Sequence, residues 1–69
     1  MKAFVATKEI KVEDVAVGDI IRHYWWYQVL KVAHHPDKVE LTLELRGGSH
    51  KVRSLLLKKG TRIKKMVSV

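Results

Sequence analysis

The sequence predicts a small all-β domain that curls into a barrel, and three observations carry that expectation. Apolar residues alternate with polar ones over residues 38–46. Turn-forming residues punctuate the chain at spacings of roughly 8–12 residues. No stretch shows the 3.6-residue apolar spacing of an ordinary helix. Length agrees: 69 residues bury only roughly 60% of the unfolded surface. That suits a single small β-barrel domain over residues 1–69 and leaves no room for a deep catalytic cleft.

The elements follow in chain order. Residues 2–7 read as a first strand, rich in apolar and β-branched side chains. Gly18-Asp19 then opens a second strand over residues 20–23. Gly18 tolerates a left-handed backbone and the Asp19 carboxylate suits a local cap. Val15 and Val17 are expected to tuck under the barrel as a lid. Residues 26–33 (WYQVLKVA) form the third strand. Val29 and Val32 both suit the core although three positions separate them, and a bulge near Leu30-Lys31 reconciles them. Over residues 38–46, Val39, Leu41, Leu43 and Leu45 alternate with Glu40, Thr42, Glu44 and Arg46. Period two places four aliphatics on one face of a half-buried strand. His35-Pro36-Asp37-Lys38 before it and Arg46-Gly47-Gly48-Ser49 after it read as hairpin turns. Residues 51–54 continue from the second hairpin. Leu55-Leu56-Leu57 fits neither face of a strand well, so residues 55–59 read as one helical turn closed by Gly60. Residues 61–69 form the last strand, with Lys65 awkwardly among inward Ile63, Val67 and Val69. The result is five or six short antiparallel strands and at most one helical turn.

Val17-Gly18-Asp19-Ile20-Ile21, followed by Trp26-Tyr27-Gln28-Val29 and the alternating 39–45 segment, resembles small SH3-like (Src-homology-3-like) β-barrel modules. In those, a "(V/P)GD-x-(I/V)" turn opens a strand and a "W-Y-x-V" segment starts the next. Similar phrasing occurs in translation-type barrels, in the Hint self-splicing fold and in short actinobacterial and phage proteins. The resemblance spans roughly residues 12–46. It implies a barrel used to bind nucleic acid or protein, with no catalytic residues to carry over. The Hint nucleophile is missing, since neither Cys nor Ser stands at the N-terminus. The oligonucleotide-binding fold fits less well, being longer and carrying a helix between its third and fourth strands.

Charge is distributed unevenly. Fourteen Lys and Arg against seven Asp and Glu give +7. Residues 1–45 hold six bases and all seven acids, for −1, and residues 46–69 hold eight bases and no acid, for +8. Such asymmetry points to a polyanion, with plain solvation and an acidic protein surface as competing explanations. The eight bases are Arg46, Lys51, Arg53, Lys58, Lys59, Arg62, Lys64 and Lys65. Lys51 and Arg53 share a strand face, with Arg46 across the glycine hairpin. Arg62 and Lys64 share a face of the last strand. Lys58 and Lys59 sit in the connecting turn beside Gly60, where backbone amides are expected to meet a phosphate.

His23-Tyr24-Trp25-Trp26-Tyr27 holds four of the five Phe, Trp and Tyr rings. Extended, it sets His23, Trp25 and Tyr27 on one face and Tyr24 and Trp26 on the other. The resemblance favours Trp26 as the core ring, with the hairpin tip at residues 23–25. Tyr24 and Trp25 are then exposed, free either to stack on unpaired bases or to cover the open end of the barrel.

No enzyme is expected. There is no Walker loop, nucleophile elbow or zinc motif, and no cysteine. Adjacent His34 and His35 point to opposite faces of a strand and make a poor metal site. No cofactor or metal is expected, and no apolar run approaches membrane-spanning length, so a soluble cytoplasmic protein is the default. The expected function is non-catalytic nucleic-acid binding, DNA or RNA, through phosphate contacts of low sequence specificity. The alternative is a small phage or regulatory protein that binds an acidic host protein through its aromatic and basic surface. A monomer is favoured slightly over a homodimer formed through an open terminal strand.

Overall fold

A computed structural model describes residues 6–47 and 51–67, which form one six-stranded antiparallel sheet and a single 3-10 turn. The strands are β1 (Ala6–Lys11), β2 (Ile20–His23), β3 (Trp25–His34), β4 (Lys38–Leu45), β5 (Val52–Lys58) and β6 (Arg62–Val67). Their spatial order is β1-β6-β2-β3-β4-β5. Strands β2 to β5 make a meander, and the last strand returns to lie between the first and second. Of the two terminal strands, β6 is interior to the sheet and β1 forms one of its edges. Most of the expected first strand, residues 2–5, and the final residues 68–69 lie outside the described residues.

Alternation builds the core. Val39, Leu41 and Leu43 of β4 are buried, as are Ile21, Tyr27 and Val29 of β2 and β3. Ile63 of β6 joins them, and Ile10 of β1 packs on the same cluster as Leu55 and Leu57 of β5. The two outermost strands thus share one core, which requires the sheet to curl and makes it barrel-like. Each fully buried aliphatic contributes roughly 1.5–3 kcal/mol relative to exposure.

Strand β3 bends at the expected place. Its register against β4 shifts between Val29 and Lys31, leaving Leu30 over-long and exposed. Val29 and Val32 both turn inward as a result. The β2–β3 connection is a single residue: His23 pairs with Trp25, and Tyr24 takes φ 64°.

Gly18 adopts φ +93° at the turn before β2. The Asp19 N–H donates to Ala16 O at 3.1 Å, and the Ala16 N–H donates to Asp19 Oδ2 at 2.9 Å. Val17 and Gly18 are then the central pair of a β-turn, which projects outward. Only Val15 forms the expected lid; Val17 is 66% exposed. The Gly18 N–H donates to Val29 O, and the Val29 N–H donates to Asp19 O, both at 2.8 Å. That exchange ties the turn to β3.

Residues 55–59 are not a helical turn. Strand β5 is extended through Lys58 because Leu55 and Leu57 stand opposite Leu41 and Val39 of β4 while Leu56 faces solvent. Gly60, at φ +88°, belongs to the tight turn into β6, where the Thr61 N–H donates to Lys58 O at 3.2 Å. The short helical segment lies instead at Val12–Asp14, where fully buried Val12 plugs the core and its N–H donates to Thr61 O at 2.8 Å. Among the described residues no helix is long and apolar enough to cross a membrane.

Candidate functional site

The pairing register decides which ring enters the core. Ile21 pairs with Tyr27, and Arg22 pairs with Trp26. Tyr27 therefore shares the inward face with Ile21 and is 5% exposed, whereas Trp26 lies on the outward face. The core ring is Tyr27, not Trp26. A phenol is acceptable there because its hydroxyl has a partner: Arg53 Nη1 donates to it at 3.1 Å. The same guanidinium stands 6.0 Å from the centre of the Tyr27 ring.

Toward the β2–β3 tip the inward face opens. Trp25, two residues before Tyr27, is 59% exposed, and Tyr24 at the tip is 89% exposed, as expected from the sequence. The Trp25 Nε1–H donates to Arg46 O at 3.3 Å, which seats the indole against the end of β4. Beside it lies a groove of about 500 Å3 lined by Tyr27, Leu45, Lys51, Val52 and Arg53. Leu45 and the Tyr27 ring form its body, and the cations Lys51 and Arg53 rim it. Arg46, Lys51 and Arg53 thus join Trp25 and Tyr24 at one end of the sheet.

On the outward face the same end carries a transverse row. Lys64 of β6 pairs with Arg22 of β2, Arg22 pairs with Trp26, and the Arg46 N–H donates to Trp26 O at 3.1 Å. The Arg22 guanidinium sits 5.5 Å from the Trp26 ring centre. Arg22 and Trp26 were not among the expected binding residues. Their signal was present: Arg22 and Trp26 flank the tip symmetrically, so a hairpin centred on Tyr24 pairs them.

The remaining expected residues are elsewhere. Lys65 points inward, where its Nζ meets Asp19 Oδ1 at 3.1 Å; this ion pair explains a lysine among inward positions. Arg62 pairs with Glu9 at 3.8 Å. Lys58 and Lys59 lie at the far end of β5, and the eight residue steps from Lys51 to Lys59 span roughly 26 Å. The amides around Gly60 are already engaged. The Gly60 N–H donates to Glu13 Oε1 at 2.7 Å, and the Lys59 N–H donates to Asp37 O at 3.0 Å. A carboxylate occupies the place where a phosphate was expected. The Gly60 amide holds the Glu13 carboxyl below its ordinary range, aided by its own backbone amide and by the charges of Lys11 and Lys59.

Among the described residues no three His, Asp or Glu side chains converge in a metal-binding group. His35 instead faces Glu40 at 3.6 Å. No protein-family model, curated protein or solved structure matches the chain.

Proposed function

We propose that the chain is a non-catalytic nucleic-acid-binding module of the SH3-like barrel type, which takes the phosphate backbone at the Trp25 end of its sheet with low sequence specificity. The observation that carries this reading is that exposed Trp25 and Tyr24, with Trp25 bonded to Arg46 O, lie at the same end of the sheet as a groove rimmed by Lys51 and Arg53. Cations held beside exposed rings suit a flexible single strand, whose phosphates meet the charges while a base stacks on the indole. Stacking of that kind contributes about 1–3 kcal/mol per base. A recognition helix that enters a major groove and reads base edges gives sequence readout, and among the described residues this surface presents none. Discrimination among sequences is therefore weak.

Fluorescence titration with single-stranded and duplex DNA and RNA tests the reading. Binding should weaken linearly in log–log form as salt rises, and single strands should bind better than duplex. Absence of binding at low salt overturns it. A protein partner captured from a lysate and retained after nuclease treatment would favour docking on an acidic protein surface instead.

A further inference from the structure

We propose that two copies of the chain associate through the free edge of β5, antiparallel about a two-fold axis at Ser54. The backbone identifies which groups are available. The Leu45 N–H donates to Lys51 O, and the Lys59 N–H donates to Asp37 O. Bonding alternates along an antiparallel ladder, so Lys51, Arg53, Leu55 and Leu57 turn their backbone groups toward β4. Val52, Ser54, Leu56 and Lys58 turn theirs away from it, and among the described residues no strand pairs with that side.

The other edge of the sheet is charged along its length, whereas on β5 the exposed charges, Arg53 and Lys58, lie to either side of an uncharged middle. Strand β1 presents Lys8, Glu9 and Lys11, all exposed. Charged side chains of this kind deter edge-to-edge pairing. The middle of β5 reads Ser54-Leu55-Leu56-Leu57, with no charge, proline or bulge. Its outward face carries Val52 and Leu56, 56% and 53% exposed.

The strand fits a second copy of itself in one register. With Ser54 opposite Ser54, Val52 of each copy meets Leu56 of the other, and the two exposed aliphatics cover one another. Arg53 then stands opposite Leu55, and Lys51 opposite Leu57, so no two cations face directly. Moving the axis to Arg53 sets Arg53 on Arg53. Moving it to Leu55 sets Lys51 on Lys59, and moving it to Leu56 sets Arg53 on Lys59. Directly opposed like charges are destabilising. The pairing joins the two grooves side by side along their Lys51 and Arg53 rims, which would raise affinity for a long polyanion through effective concentration.

Cross-linking reads the register directly, because the chain has no cysteine. A hydrogen-bonded antiparallel pair has its Cα atoms about 5.5 Å apart, inside the disulfide range of about 4.4–6.8 Å. Ser54→Cys should give a covalent dimer under mild oxidation at least ten-fold faster than Lys11→Cys on β1. Val52→Cys and Leu56→Cys should cross-link when mixed and not singly. Sedimentation equilibrium of the unaltered chain, without nucleic acid, should give twice the 8.0 kDa chain mass. Association should strengthen with salt, because two chains of +7 repel; polyanion binding has the opposite salt dependence, so either idea can fail without the other. Leu56→Lys should return the mass to one chain while leaving the melting temperature of the monomer unchanged. A single-chain mass at every concentration in about 0.5 M salt, or Ser54→Cys reacting no faster than Lys11→Cys, overturns the proposal. So does a monomer whose β5 edge takes up an added peptide strand.

Discussion

The two ends of the sheet carry similar numbers of basic residues and put them to opposite use. At the Trp25 end, Arg46 and the groove cations Lys51 and Arg53 gather with the exposed Trp25 and Tyr24 rings. At the Gly60 end, Arg62 faces Glu9, Lys59 lies near Glu13, and the Gly60 amide is bound by that same carboxylate. The sequence tally, +8 over residues 46–69 and −1 over residues 1–45, distributes cation strength evenly along the second half. Folding does not. The β1–β6 pairing and the 3-10 turn bring Glu9 and Glu13 against the cations of the Gly60 end, whereas at the Trp25 end Glu44, opposite Val52, is the acid nearest Lys51 and Arg53.

The comparison breaks most sharply at Asp19, which holds the third neutralised cation. Asp19→Ala removes both the Ala16 cap and the Lys65 partner, and it should cost about 2–3 kcal/mol of stability in urea unfolding. A loss below roughly 0.5 kcal/mol would mean that Lys65 finds water easily and that its inward placement is not held by the ion pair. Next in size, Trp25→Ala should weaken single-strand binding by about 2 kcal/mol and duplex binding far less. Equal losses on both would place the indole on the backbone rather than on a base.

Smaller effects separate the ends by salt. Lys51→Ala and Arg46→Ala should each lower the log–log salt slope on single strands by about 0.7, the value for one lost phosphate contact. Lys58→Ala and Lys59→Ala should leave that slope nearly unchanged. If the far-end variants lower it equally, the ends are equivalent and the groove is not the site. The smallest effect concerns Glu13, whose folded pKa lies below the ordinary 4.5. A depressed carboxyl stabilises the fold above the unfolded pKa and loses that contribution as pH falls through the folded value. The urea midpoint of the native chain should therefore drop more between about pH 6 and about pH 3 than that of Glu13→Gln. Parallel curves would show that the Gly60 amide does not depend on the charge.

Much of this architecture is legible in the sequence wherever one face alone is buried. The alternation of Val39, Leu41, Leu43 and Leu45 and the three-residue step from Val29 to Val32 specify strand faces and a bulge without reference to anything distant. Leu55-Leu56-Leu57 was misread because its solution depends on neighbours: two leucines enter the core and the third is left outside on an edge strand. Local pattern does not say which strand is an edge. The aromatic run shows the same limit. Alternation groups Trp25 with Tyr27 correctly, but which group turns inward is set by Ile21 across the hairpin. The site divides likewise. Exposed Tyr24 and Trp25 follow from a tip position, whereas the fates of Lys65 and Arg62 depend on Asp19 and Glu9, each more than 40 residues away in the chain.

The register shift in β3 has a consequence for what the strand can lose. Val29 pairs with Leu43, Lys31 with Thr42 and Val32 with Leu41, so β3 is one residue longer than the β4 segment it faces. Leu30 is that surplus residue. Removing it would restore strict two-residue phase without moving any other side chain to the opposite face, which is otherwise the penalty of a one-residue deletion in a strand. What disappears is the local bend. Inward and outward patterning on one hand and curvature on the other are thus encoded by different residues in β3, and a chain lacking Leu30 would keep the first while flattening the second.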